Sequence, residues 1–129
     1  MSFQQFEDIE AWRKARELTQ AVYAVTDLNA FARDFGLRNQ IRRASVSIMS
    51  NIAEGYERDG AGEFIQFLAM AKASAGEVRS QLYVAVDRKY ITKGVFDQLC
   101  DTATQTSRMI SGLMHYLRKS RHRGTKYRG

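Results

Sequence analysis

The chain has 129 residues, no proline, one cysteine and a formal net charge of +6, a length that fits one domain whose folding buries roughly two-thirds of its accessible surface. A lone cysteine excludes an intramolecular disulfide and is too little to build a zinc site. No stretch approaches the roughly 18 apolar residues of a membrane span; Met1 to Asp8 has neither the basic stretch nor the apolar run of a secretory leader, so a reducing cytoplasm is the expected location.

Taken in chain order, the apolar residues recur at helical spacing. From about Phe6 to Leu28, Ile9, Trp12, Ala15, Leu18, Val22 and Val25 fall at steps of three and four, the stripe of an amphipathic helix. Asp8 and Glu10 suit the positive end of its dipole. Asn29 suits a left-handed closing residue, and Asn29 to Gly36 reads as a loop. A second helix is expected from about Leu37 to Glu54 on Leu37, Ile41, Ala44, Ile48 and Ile52, with Gly55 as its stop and Tyr56 to Gly62 as the next loop. A third, from about Ala61 to Arg88, carries Phe64, Phe67, Leu68, Ala71, Ala75, Val78, Leu82 and Ala85. Lys89 to Thr92 is a tight connection with Thr92 as N-cap. The last helix runs from about Lys93 to Leu117 through Phe96, Leu99, Cys100, Ala103, Ile110 and Leu113. No segment alternates with the period of a half-buried strand. The expectation is an all-α, antiparallel up-down-up-down four-helix bundle over residues 1–117, with a basic, flexible tail over 118–129. Trp12, Ile41, Ile48, Phe67, Leu82, Leu99 and Ile110 are its expected core.

Three blocks carry a resemblance. The first is Phe6-Glu7-Asp8-Ile9-Glu10-Ala11-Trp12-Arg13-Lys14-Ala15-Arg16-Glu17-Leu18. The second is Gln40-Ile41-Arg42-Arg43-Ala44 leading to Ser50-Asn51-Ile52-Ala53-Glu54-Gly55. The third is Glu63-Phe64-Ile65-Gln66-Phe67-Leu68 with Ser74, Glu77, Gln81 and Leu82. In this order and spacing the chain resembles the four-helix-bundle family encoded in intervening sequences of bacterial 23S ribosomal RNA genes, over Phe6 to about Leu117. The resemblance implies a homo-oligomer, with a five-membered ring the expected assembly. It also implies likeness in fold to the accessory protein of diversity-generating retroelements, which works with a reverse transcriptase and nucleic acid. Two departures stand out. Met49 occupies a position where the family usually has proline, so a kink in the second helix is expected to be softened or missing. Ala73 stands where the family tends to have glycine, which would loosen a close helix contact.

Function is less legible. Gln40, Arg43, Ser47, Asn51 and Glu54 form a polar stripe on the second helix, and Glu63, Ser74, Glu77 and Gln81 a matching one on the third. Paired across a helix interface, Arg43 with Glu77 for example, they would set register at some cost in stability; unpaired, they are solvated faces. Glu-x-x-His pairs, the mark of a di-iron bundle, do not occur, since His115 and His122 are the two histidines. Neither metal nor cofactor is therefore expected. Cys100 falls on an apolar face, the setting of a buried hydrophobe and not of a reactive thiol. Gly124-Thr125-Lys126 lacks the order and the preceding strand of a phosphate loop. A non-enzymatic protein is the expectation.

The tail is the strongest functional signal. Arg118, Lys119, Arg121, Arg123, Lys126 and Arg128 follow one another without an acid, and without them the chain has fourteen basic and fourteen acidic residues. Such a run neutralises phosphates and releases counterions, Tyr127 could add base stacking, and several tails in an oligomer would act together. RNA or DNA bound electrostatically is the leading expectation, with Arg42 and Arg43 as a second basic surface. A protein-interaction scaffold with an incidental solubilising tail is the alternative. An anionic membrane is a weaker choice because the tail lacks apolar anchors.

Overall fold

With no proline to break them, helices of 17 to 30 residues run uninterrupted. The computed structural model describes residues 2–122. A 3-10 turn (Phe6–Asp8) leads into α1 (Glu10–Thr26), followed by a short α2 (Asn29–Arg33), α3 (Phe35–Glu57), α4 (Ala61–Asp87) and α5 (Lys93–His122). Among the described residues there is no strand. Helix α3 packs between α1 and α4, and α5 closes the ring between α4 and α1. The result is an antiparallel four-helix bundle with α1 diagonal to α4.

The core is a column of aliphatic side chains with few aromatics. Leu18, Val22, Ile41, Ile48, Ile52, Phe64, Leu68, Leu82, Ile110 and Leu117 are fully buried, and Leu99 nearly so. Two expected core residues are not there. Trp12 and Phe67 are half-buried. On α1 the buried stripe is Ala11, Ala15, Leu18, Thr19, Val22 and Thr26, turned from the expected one toward small residues and threonines. The hydroxyls of Thr19 and Thr26 bond back to the carbonyls of Ala15 and Val22 at 2.8 Å each, so these polar residues enter the core satisfied. Trp12 sits beside that stripe, edge-on to Phe6 at 5.2 Å, with the Arg16 guanidinium 5.9 Å from its ring centre. Trp12→Ala is accordingly expected to cost about 2 kcal/mol in urea unfolding, below the ~3–5 kcal/mol of a fully buried indole. A cost above about 4 kcal/mol would place the ring in the core.

The connections differ from expectation in three places. The segment expected as a loop from Asn29 to Gly36 contains α2, because Phe31 is fully buried and stacks on Tyr90 at 5.2 Å, anchoring one helical turn. Asn29 does take a left-handed φ of 51°. Gly55 is not a stop: α3 continues to Glu57, and the turn to α4 is made at Gly60, whose φ of 115° suits glycine. Finally, α5 runs beyond Leu117 to His122, so Arg118, Lys119 and Arg121 are on a helix, continuous with the bundle. Helix α3 is unbroken across Met49. Ala73 is exposed, so within the chain no close helix approach depends on it.

One polar tie joins the two sides of this architecture. The Asp34 carboxylate caps α3 by accepting from the Leu37 amide at 3.1 Å and accepts from the Tyr90 hydroxyl at 2.9 Å. The Leu37 amide first, then Tyr90, hold its carboxyl below the ordinary carboxylate range. A depressed folded-state pKa adds stability that is present above the unfolded value and is lost as pH falls through the folded one. Asp34→Asn is therefore expected to unfold earlier in urea than the parent at pH 7, with the gap shrinking below about pH 4. An equal gap at about pH 7 and about pH 3 would show that the carboxylate charge plays no part.

Candidate nucleic-acid interface

Each polar residue singled out in the sequence has a definite place. Ser74 is buried, and its hydroxyl donates to the Ser47 hydroxyl at 3.0 Å across the α3–α4 seam. Asn51 donates its amide N–H groups to the Ser47 carbonyl and hydroxyl at 2.9 and 3.0 Å. These three side chains form one connected polar cluster at the helix interface. Gln81 is partly buried, with an Oε1 that has no hydrogen-bond partner among the described residues. Arg43 and Glu77 are exposed and do not pair with each other, and Gln40 is exposed too. The cation that does bridge the two helices is Arg58, 3.2 Å from Glu54 and 3.7 Å from Glu63. With all three about half exposed, this triplet contributes little. The i,i+4 spacing of Glu54 and Arg58 is the sequence signal for it.

The two arginines of the second block have unlike surroundings. Arg42 is largely sequestered: its Nε donates to the Thr26 hydroxyl at 2.8 Å, its Nη2 to Asp27 at 2.7 Å, and its guanidinium lies 4.5 Å from the Tyr23 ring centre. Arg43, one residue on, is exposed and has no ion pair among the described residues. Both line a groove of about 750 Å³ between α1 and α3, together with Tyr23, Asn39, Ser50 and Asn51. Tyr23 comes from a different helix, so no local pattern announces it.

A second basic surface runs along α5. Arg108, Gly112, His115, Arg118 and Lys119 are all exposed, and their spacing puts them on one side of the helix. Asp101 is the last acid in the chain; seven Lys/Arg and no carboxylate follow it. In the sequence Arg108 and His115 are overshadowed by the denser run after Leu117, and helical spacing is the signal that groups them with it. Arg121 has a helical backbone, and Arg123, Lys126 and Arg128 lie outside the described residues.

No group of three or more His, Cys, Asp or Glu side chains is arranged to hold a metal among the described residues. Burial is the main cause that pushes the Cys100 thiol up, which lowers its thiolate fraction. No helix among the described residues is long and apolar enough to cross a membrane.

Residues 7–112 match the model of a family described as 23S rRNA-intervening sequence protein. The chain belongs to this family. Among solved structures it is similar to a protein of unknown function from the S23 ribosomal protein family of Bacteroides thetaiotaomicron, with 23% sequence identity and a TM-score of 0.75, over 81% of this chain and 95% of that one. At that identity the likeness concerns the fold. No curated protein matches. The family match ends before Arg118, so the part of α5 richest in cations lies beyond the shared region.

Proposed function

We propose that this family member is a non-enzymatic, homo-oligomeric binding protein that attaches to RNA or DNA electrostatically and serves as a scaffold or accessory in a nucleoprotein complex. The observation that carries the reading is the acid-free end of the chain, whose described cations Arg108, Arg118 and Lys119 are exposed on one side of α5. A rigid helix presents these charges at fixed spacing, which favours a phosphate backbone over small anions. The family's description, with its reference to 23S rRNA, lends support to an RNA-associated role.

Self-association is part of the same proposal. Tyr83 and Val84, neighbours on α4, are 56% and 46% exposed and are apolar surface that a second copy would cover. A five-membered ring is the assembly favoured by the family resemblance, and it would bring several α5 ends together for avidity. Mass measurement in solution with and without RNA, paired with binding titrations from about 50 to 200 mM salt, tests both parts. The expected result is an oligomer whose RNA affinity falls steeply with salt. A monomer would remove the avidity argument. An oligomer that binds neither RNA nor DNA at low salt would leave a protein-interaction scaffold.

A further inference from the structure

The groove between α1 and α3 has a chemistry that a merely cationic patch lacks. It is an open, shallow concavity of about 750 Å³, which an unpaired nucleotide can enter directly from solvent. No acid lines it. Arg43 supplies an exposed positive charge with no ion pair among the described residues, which is the state of a side chain available to a phosphate. Tyr23 remains 40% exposed although the Arg42 guanidinium lies over its ring.

That stack is held in place. Thr26 and Asp27 fix Arg42 from α1 and its exit, at 2.8 and 2.7 Å, so the guanidinium is held 4.5 Å from the Tyr23 ring centre. Aromatic rings and guanidinium groups are what unpaired bases stack on, and they are reached only by a base outside a helix. Asn39 is exposed at the rim. Asn51 spends its amide nitrogen on Ser47, which leaves its carbonyl oxygen to accept from a base edge. The surrounding field points the same way. In an up-down bundle the end that holds this groove also carries Arg33, Arg38, Arg88 and Lys89. Of the acids there, Asp27 and Asp97 are paired with Arg42 and Lys93, Asp34 is held by the Leu37 amide and the Tyr90 hydroxyl, and Asp87 is exposed, so that the cations remain in excess.

We propose that the α1–α3 groove is a site for unpaired nucleotides of a single-stranded nucleic acid, with Arg43 on the phosphate and Tyr23 under the base. It rests on the nucleic-acid reading above and deepens it: α5 would supply general phosphate affinity, and the groove would distinguish single strands and loops from duplex.

The test uses the full chain and two variants, Arg43→Gln and Tyr23→Leu, with a fluorescent RNA single strand of about 12 nucleotides and a duplex of the same sequence. Arg43→Gln replaces an exposed side chain with no ion pair among the described residues, so the fold is not at stake; thermal unfolding checks Tyr23→Leu. Each variant is expected to weaken single-strand binding about tenfold while duplex binding changes less than about twofold. Photo-crosslinking to a 4-thiouridine strand should label the tryptic peptide Glu17–Arg33, which contains Tyr23. Equal effects on both probes, no effect on either, or labelling confined to peptides after Arg108 would each overturn the groove assignment while leaving nucleic-acid binding in place. If the parent chain binds neither probe, the broader reading fails and the groove assignment fails with it.

Discussion

Replacing Gly55 with alanine is expected to destabilise the protein by about 2–3 kcal/mol in urea unfolding, a large cost for the addition of one methyl group. A Cβ at this position would lie 2.6 Å from the Cβ of Phe67 and 3.0 Å from Cδ1 of Phe64, with the Phe64 carbonyl oxygen at 3.4 Å. The first of these neighbours is attached directly to the α4 backbone and has no rotamer by which to retreat. Phe64 is fully buried and cannot swing out without opening the core. Relief therefore requires α3 and α4 to part near the turn that joins them. Gly112 is the matched comparison: a Cβ there meets nothing within 4 Å, and alanine in an open helical position stabilises by roughly 0.4–1 kcal/mol. Opposite signs for Gly55→Ala and Gly112→Ala are the expected outcome. If both variants are stabilised, α3 and α4 do not approach each other as closely as described.

Removing charge from the end of α5 is expected to have the largest effect on binding. A triple variant, Arg118→Gln, Lys119→Gln and Arg121→Gln, keeps the helical residues in place, and ending the chain after His122 removes Arg123, Lys126 and Arg128. Combined, the changes remove all six cations beyond Leu117, and Leu117, fully buried, is untouched. For each duplex phosphate that the variant no longer neutralises, the magnitude of the salt slope should fall by about 0.9. Removing neutralisation of only about three phosphates then weakens binding by roughly tenfold or more at about 100 mM salt. Circular dichroism should still show a helical fold, and the number of subunits in solution should stay that of the parent. If the combined variant binds duplex as tightly as the parent, Arg108 and the arginines of α3 must carry the affinity, and the chain end has no part in it.

Much of this molecule is legible in its sequence because helical periodicity is a local signal. Four stripes of apolar residues, an absence of proline and short links determine a four-helix bundle, and the three sequence blocks point to the family. Boundaries are less legible. Gly55 resembles a stop because glycine is a poor helix residue; only the α4 chain lying against it explains why a residue without a side chain stands inside α3. Asn29 to Gly36 has the polar and small residues of a loop, and its helical turn exists because Phe31 finds Tyr90, far away in sequence.

The same division holds for function. Sequence by itself determined the charge of the chain end, since a run of cations with no acid needs no partner to be recognised. It could not determine whether Arg42 and Arg43 were equivalent, because adjacent residues on a helix point about 100° apart. Tertiary structure decided that. Arg42 is turned onto Tyr23, Thr26 and Asp27 of the neighbouring helix and its exit, while Arg43 faces solvent at the edge of the groove. Likewise Trp12, the largest side chain in its stripe, is displaced to the margin by small neighbours. The physical reason is common to these cases: periodicity tells which residues share a face, but what that face meets depends on the other helices.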